Sequence, residues 1–374
     1  MIRELQLQDF RGFSRFKLGR LGRVNLLVGT NNSGKTSFLE AIELLHAHGD
    51  AWSIWASLSR RGERVFGDDE RGVSSEFDVS HLFHGHNPDL GATFSIVSKN
   101  DASSQQLGGT IVEIQSDDSR QEALPEIERQ LSFAPLVGLH LKWNSSSQSE
   151  GTLIPLTEKF GVSVDFIRRR LQRPPENRIP LAFVTTESLS TDDVITSLSS
   201  IILESPEDLV LEALRIIDPT IERIAPVIQT RSMPNYTNRP SQRGGVVVKC
   251  RDIVGRIPIG TMGDGIWHLL SLALSLVRAR GGVLLIDEID TGLHYSVMED
   301  MWRLVQKTAK DLDVQVFATT HSSDCWKALA TICSSENGAL SEVSIQRVER
   351  DKTESVPFTE REIVIAAESG VEVR

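Results

Sequence analysis

The most specific chemistry in this 374-residue chain is carried by Gly29-Thr30-Asn31-Asn32-Ser33-Gly34-Lys35-Thr36. Two glycines frame a loop that ends in a lysine and a hydroxyl. Glycine lets the backbone wrap an anion at φ values that other residues avoid. The N–H groups of such a loop, and the start of the helix after it, then face phosphate oxygens. Lys35 is placed to reach the β and γ phosphates of a nucleotide, and the Thr36 hydroxyl to bind Mg²⁺. The phosphate-binding set expected from this pattern is Gly29, Asn31, Asn32, Ser33, Gly34, Lys35, Thr36 and Ser37. A plain glycine-rich turn is the bland alternative. The context argues against it, because the apolar run Val24–Val28 precedes the loop and a helix-like segment, Lys35–His46, follows.

A second group of candidates lies late in the chain. Val283-Leu284-Leu285-Ile286 is a continuous apolar run that ends in Asp287-Glu288. Asp287 fits a carboxylate serving Mg²⁺, and Glu288 a base that orients and deprotonates a water. Two acids at a strand end also serve as a helix cap, and the pair alone does not decide between the roles. Phe317-Ala318-Thr319-Thr320-His321-Ser322 closes another apolar run. His321 either contacts a γ-phosphate or attacking water, or caps the helix that follows. Gly260-Thr261-Met262-Gly263-Asp264-Gly265 opens an apolar helix. That turn is either a second anion site or an N-terminal cap made by Asp264. One nucleotide needs only one such turn, so the second is expected to serve the nucleotide of another subunit.

These residues need a scaffold. Arg3–Phe10 and Ser14–Leu18 alternate as half-buried strands around an Arg11-Gly12-Phe13 break. Val246–Arg251 and Ile253–Ile259 read as a hairpin, Gly265–Arg280 as a helix and Val283–Ile286 as a strand. His294–Asp311 then reads as a helix, Val314–Thr319 as a strand, Val343–Phe358 as a hairpin and Thr359–Ser369 as a closing helix. Continuous apolar strands alternating with helices predict an α/β core with a mainly parallel sheet. An antiparallel β part is expected at the N-terminus. Between Gly49 and Gly245 the pattern is irregular, apart from a helix at Ser205–Ile217. The expected division is a split core, residues 1–48 and 244–374, around a large α/β insertion at 49–243.

The residues taken in this order resemble the ABC-class AAA family ATPases of the RecF, SMC and OLD group. Leu5-x-Leu7-x-Asp9-Phe10-Arg11-Gly12-Phe13 looks like that group's first strand and arginine turn. Asp287-Glu288 followed by Ile289-Asp290-Thr291-Gly292-Leu293-His294 looks most like the OLD-type branch. The resemblance implies ATP and Mg²⁺ as ligands, with Arg11 among the nucleotide contacts. It also implies a nucleotide-sandwich homodimer, in which Gly263, Asp264 and Gly265 meet the partner's γ-phosphate. Gly263 stands where the group usually has a serine, so one hydroxyl contact is missing. The usual glutamine before the core helices is not found; Ser80-His81 is the nearest candidate. The function implied is an ATP-hydrolysing switch acting on a separate effector, such as a TOPRIM-type nuclease, in DNA-related work or phage defence. DNA is a further candidate partner. The rival readings are a nucleotide-gated scaffold without turnover, a RecF-like repair ATPase and a transporter ATPase subunit.

Composition bounds these readings. A 40% hydrophobic and 24% charged chain excludes a disordered, collagen-like or disulfide-scaffold protein. A net charge of −11 argues against an overall basic coat for nucleic acid, though a local patch stays open. Arg168-Arg169-Arg170 with Arg173 is either that patch or a solvated helix face. His81, His84 and His86 lack the second ligand pair of a zinc site. Cys250, Cys325 and Cys333 form no CxxC pair and read as reduced thiols of a cytoplasmic protein. No apolar stretch is long enough for a bilayer. The segment after His321 is too short for a nuclease domain of about 100 residues. Asp68-Asp69-Glu70 and Asp192-Asp193 read as solvated acids. Any effector is therefore expected to be a separate protein.

Overall fold

The computed structural model describes residues 1–66, 73–114, 137–157, 159–164, 166–167, 179–202, 206–227, 245–335 and 342–373. The chain forms two units. One comprises Met1–Leu21, Asn32–Arg178 and Val348–Val356, the other Gly22–Asn31, Ile179–Arg347 and Pro357–Arg374.

The first unit begins with β1 (Ile2–Phe10) and β2 (Phe13–Leu18), joined at the Arg11-Gly12 turn. After it the chain enters the second unit for β3 (Val24–Val28). Back in the first unit come α1 (Lys35–His46), α2 (Ala51–Arg61), β4 (Arg64–Phe66) and β5 (Val73–Asp78). There follow β6 (Thr93–Asn100), β7 (Ser104–Glu113), β8 (Val137–Ser145), β9 (Ser149–Leu156) and β10 (Gly161–Ser163). Six strands in the order β2-β1-β6-β7-β8-β9 make a wholly antiparallel sheet. Its alternating inward residues, among them Leu5, Leu7, Phe94, Ile96, Leu107 and Leu139, are buried. Helix α1 packs on β6 and β7. Phe38 on α1 meets Phe13 and Phe16 at ring-centroid distances of 4.9 and 5.2 Å.

The second unit holds β11 (Leu181–Val184), α3 (Thr191–Ile201), α4 (Pro206–Arg215), β12 (Ile221–Pro226), β13 (Val246–Cys250) and β14 (Ile257–Pro258). It continues with α5 (Asp264–Arg278), β15 (Val283–Ile286), α6 (Met298–Asp311), β16 (Gln315–Thr319) and α7 (Ser323–Ser335). It ends with β17 (Val343–Arg347), β18 (Val356–Thr359) and α8 (Glu360–Glu368). The main sheet has the order β11-β15-β16-β3-β17-β18, and its first five strands are parallel. Every residue of β3, β15 and β16 is buried, which explains why these runs are apolar without alternation. Asn25 is the polar exception in β3. Its amide donates to the carbonyls of Gly22 (2.9 Å) and Val316 (3.1 Å) and accepts from the Ser344 hydroxyl (2.9 Å). Because these bonds satisfy it, the amide can sit in the core.

The expected α/β class, with a mainly parallel sheet and an antiparallel N-terminal part, is observed. β11 lies in the 49–243 stretch read as an insertion, yet it pairs residue for residue with β15 in the parallel sheet. Four residues after a long polar stretch gave no periodicity from which to assign it. The expected helix His294–Asp311 is a single 3₁₀ turn, Tyr295–Val297, leading into α6. The His294 ring caps that turn by accepting from the Ser296 N–H at 3.4 Å.

Candidate active site

Parallel strands place their carboxyl ends together, and ligands of open α/β sheets bind outside those ends. In the main sheet Ile286 is opposite Ala318, and Ala318 is opposite Leu26. Asp287-Glu288 follows β15, Thr320-His321 follows β16 and Gly29-Thr30-Asn31 follows β3. All three groups therefore emerge at one edge of the sheet within the second unit.

Around the acid pair the backbone is tightly held. The Asp287 N–H continues the ladder to the Val184 carbonyl at 2.8 Å. Glu288 has φ 52°, a left-handed conformation uncommon outside glycine. The Thr319 hydroxyl donates to Asp287 (2.7 Å) and accepts from the Glu288 N–H (2.8 Å). The Ile289 N–H donates to the Thr319 carbonyl at 3.0 Å. His268 on α5 holds the Ile289 carbonyl through Nε2 at 2.9 Å, while Ser188 meets its Nδ1 at 3.0 Å. Burial pushes the pKa of His268 below the ordinary histidine value and keeps the ring neutral. The Thr320 hydroxyl donates to Asp290 at 2.6 Å.

The Glu288 carboxylate, partly exposed, lies 3.3 Å from Nδ1 of His321. His321 is not the cap of α7. Ser322 takes that role, its hydroxyl 3.4 Å from the Cys325 N–H. Nor do Asp287 and Glu288 cap a helix, because a turn through Asp290 and Gly292 follows them. A carboxylate with a histidine beside it, at the exposed end of a buried strand, can take a proton from water and pass it on. Thr319, Thr320 and His268 were not singled out in the sequence. The available signal was a pair of hydroxyls at and just after the end of a mostly apolar strand.

The glycine turn before α5 is built differently from the expected Asp264 cap. Gly263 is the residue before the helix, at φ 94° and ψ 175°, and no side chain caps the helix there. Nothing lies within 4 Å of where a Cβ on Gly263 would stand. A Cβ on Gly265 would meet the Gly292 carbonyl at 2.8 Å, so this turn packs on the segment after the acid pair.

The phosphate loop starts at Gly29 (φ 149°) and continues through Asn32 (φ 60°) and Gly34 (φ 92°). Its second part, from Asn32 onward, belongs to the first unit. Gly34 stands before α1 without a side-chain cap, and a side chain there would overlap the Phe13 ring. Ser33 and Lys35 are buried, and Ser37 receives a hydrogen bond from Arg61 at 3.3 Å.

Arg11 is 3% exposed, and the structure gives its guanidinium to protein partners. It lies 2.6 Å from Glu40 and 2.8 Å from both Glu63 and the Ser57 hydroxyl. Arg61 holds the other oxygen of Glu40 at 2.7 Å, and Arg60 pairs with Glu43. Ser80 and His81 lie in a 3₁₀ turn capped by Asp78. His81 faces His86 across 3.3 Å, and His84 bonds the Arg11 carbonyl. Among the described residues no group of three or more His, Cys, Asp or Glu could hold a metal ion. Asp192 and Asp193 sit in the first turn of α3, where Asp193 meets Ser190. Arg168-Arg169-Arg170, Arg173 and Asp68-Asp69-Glu70 lie outside the described residues. Among the described residues no helix is long and apolar enough to cross a membrane.

Parts of the chain match known protein families. Residues 1–119 match the model of the AAA ATPase domain family. Residues 249–324 match that of the family described as "AAA domain, putative AbiEii toxin, Type IV TA system". The chain is 22% identical over 352 residues to an ATP/GTP phosphatase of Helicobacter pylori, covering 87% of this chain and 86% of the relative. It is 34% identical over 122 residues to the DNA replication and repair protein RecF of Sodalis glossinidius, covering 33% of this chain and 29% of that protein. The SMC head domain of Thermotoga maritima superposes with a TM-score of 0.43 at 13% identity, covering 96% of this chain and 98% of that domain. The AAA-family likeness thus falls on the two segments that carry the phosphate loop, the glycine turn, the acid pair and His321.

Proposed function

We propose that this chain binds MgATP, hydrolyses it and uses the cycle as a switch. One observation carries the reading. The start of a complete phosphate loop, the Asp287-Glu288 turn and His321 share one edge of a parallel sheet, with Glu288 and His321 3.3 Å apart. The donors assigned to Mg²⁺, the Thr36 hydroxyl and the Asp287 carboxylate, are hard oxygens of the kind that ion takes. Mg²⁺ would neutralise charge on the phosphate oxygens. Glu288 is the base for the attacking water, and His321 holds the carboxylate and senses the γ-phosphate. Lys35 binds the β and γ phosphates.

The Gly263-Asp264-Gly265 turn supports a nucleotide-sandwich dimer. It is a second glycine turn at an uncapped helix start, with open space at Gly263. Control of a separate effector, in DNA-related work or phage defence, rests on the resemblance to the RecF and OLD-type ATPases and on the RecF-like segment.

Binding and turnover measured separately test the reading. Lys35→Ala should weaken ATP binding by about 1.5–3 kcal/mol, the worth of a charge-assisted contact. Glu288→Gln should keep binding and slow hydrolysis by roughly 10² to 10⁴. Normal turnover in Glu288→Gln would remove Glu288 as the base. Binding without turnover in the unaltered chain would leave the nucleotide-gated scaffold. The same assay with and without DNA tests the DNA link.

A further inference from the structure

Thr319, the last residue of β16, and Thr320 after it do more than close a strand. Thr319 is 1% exposed and Thr320 fully buried. Successive side chains of a strand point to opposite faces, and each of these hydroxyls takes an acid from the turn after β15. Thr319 reaches Asp287 and Thr320 reaches Asp290, the residues on either side of the Glu288-Ile289 corner.

The chemistry of a hydroxyl makes the Thr319 contact directional. It has one proton to give and lone pairs to receive. An ionised carboxylate can only accept, so the proton goes to Asp287. The Thr319 oxygen then accepts the Glu288 N–H at 2.8 Å. One hydroxyl therefore fixes a carboxylate and the backbone of its neighbour together. That neighbour sits at φ 52°, where a non-glycine residue stays only if its surroundings hold it. The Ile289 N–H is bound to the Thr319 carbonyl and the Ile289 carbonyl to His268. The backbone is pinned at Asp287, Glu288 and Ile289, while the Glu288 carboxylate remains 38% exposed and beside His321.

We propose that Thr319 is a positioning residue for hydrolysis: its hydroxyl holds the Glu288 turn in the left-handed conformation that aims the carboxylate at water and at His321. The inference rests on the ATPase reading above. Without the hydroxyl, the Glu288 N–H loses its partner inside the protein and the turn relaxes toward right-handed φ. The carboxylate then leaves His321, while the phosphate loop is untouched.

The test uses the full chain with Thr319→Val, which keeps the shape, and Thr319→Ser, which restores the hydroxyl. Thr319→Val should lower kcat by roughly 10²-fold, the scale of a misplacement of about 1 Å. Its affinity for ATP should stay near that of the unaltered chain, and Thr319→Ser should recover most of kcat. Unchanged kcat in Thr319→Val, or equal loss in both variants, overturns the proposal. If the unaltered chain shows no turnover, the ATPase reading fails separately. Amide hydrogen exchange then judges the latch: the Glu288 N–H should be protected in the unaltered chain and Thr319→Ser, and exchange much faster in Thr319→Val. Equal protection in all three overturns it.

Discussion

His268 shows how a residue outside the acid pair can hold the turn that carries it. Its Nε2–H holds the Ile289 carbonyl, and the Ser188 hydroxyl lies 3.0 Å from its Nδ1. Burial lowers its pKa from the usual 6.5. In the folded chain it therefore resists the proton that the unfolded chain takes up below about 6.5. Its contribution to stability is intact above that value and is lost as pH falls through the window down to the lowered pKa. Thermal unfolding followed between pH 7 and pH 5 should show the midpoint falling with acid, and His268→Asn should flatten part of that slope. An unchanged slope would assign the acid sensitivity to other groups. The residues that would meet phosphate and water were legible because each ends a recognisable run. His268 and Thr319 were not, because their roles depend on which strand ends are neighbours.

Among the elements, α1 and the glycine turn before α5 carry the sharpest consequences. Glu40 is 1% exposed and sits between the guanidinium groups of Arg11 and Arg61. Removing it as Glu40→Ala leaves the buried Arg11 guanidinium short of a partner, which costs about 3–5 kcal/mol. Urea unfolding should show that loss, and a loss under about 1 kcal/mol would mean that solvent reaches Arg11. The two glycines of the turn before α5 resist substitution for different reasons. At Gly263 space is open, but φ 94° with ψ 175° is a region kept almost wholly by glycine. At Gly265 the backbone is ordinary, but a Cβ would press on the Gly292 carbonyl. Gly263→Ala should cost about 1–3 kcal/mol through backbone strain alone. Gly265→Ala should also disturb the segment beyond the acid pair, seen as faster amide exchange at Asp290–Gly292.

The strands of the antiparallel sheet illustrate why the middle of the sequence looked irregular. Gly108-Gly109 lies inside β7. Gly109 is paired with Phe94, whose ring lies over the glycine where a Cβ would stand. An aromatic ring covering a cross-strand glycine keeps such a strand intact. The polar cluster Ser145–Gly151 contains the tight connection between β8 and β9. β1, β2, β3, α1, α5, β15 and β16 were legible because their apolar residues recur at strand or helix spacing.

At the scale of the whole molecule, the sandwich reading predicts complementation. Lys35→Ala lacks the loop contact, and Gly263→Ala lacks a sound signature turn. Each alone should hydrolyse little ATP. Mixed, their heterodimers contain one composite site with both parts unaltered, and some activity should return. No recovery in heterodimers shown to form would argue for a site complete in one chain, or for obligatory coupling of the two sites.

The place of β3 in the parallel sheet also sets an order of events during synthesis. Asn25 bonds to Val316 and Ser344, which lie 291 and 319 residues further along the chain. β3 thus leaves the ribosome long before its two flanking strands, which follow it by about 291 and 319 residues. At about 5–20 residues per second the wait is roughly 15–60 s. Throughout that interval the strand that launches the phosphate loop has no sheet to join, and it offers chaperones an exposed apolar segment. Nascent chains arrested before Val343 should therefore gain no protection from protease when ATP is added, whereas released full-length chains should. Competence to hold nucleotide would then be acquired in one late step, when β17 docks.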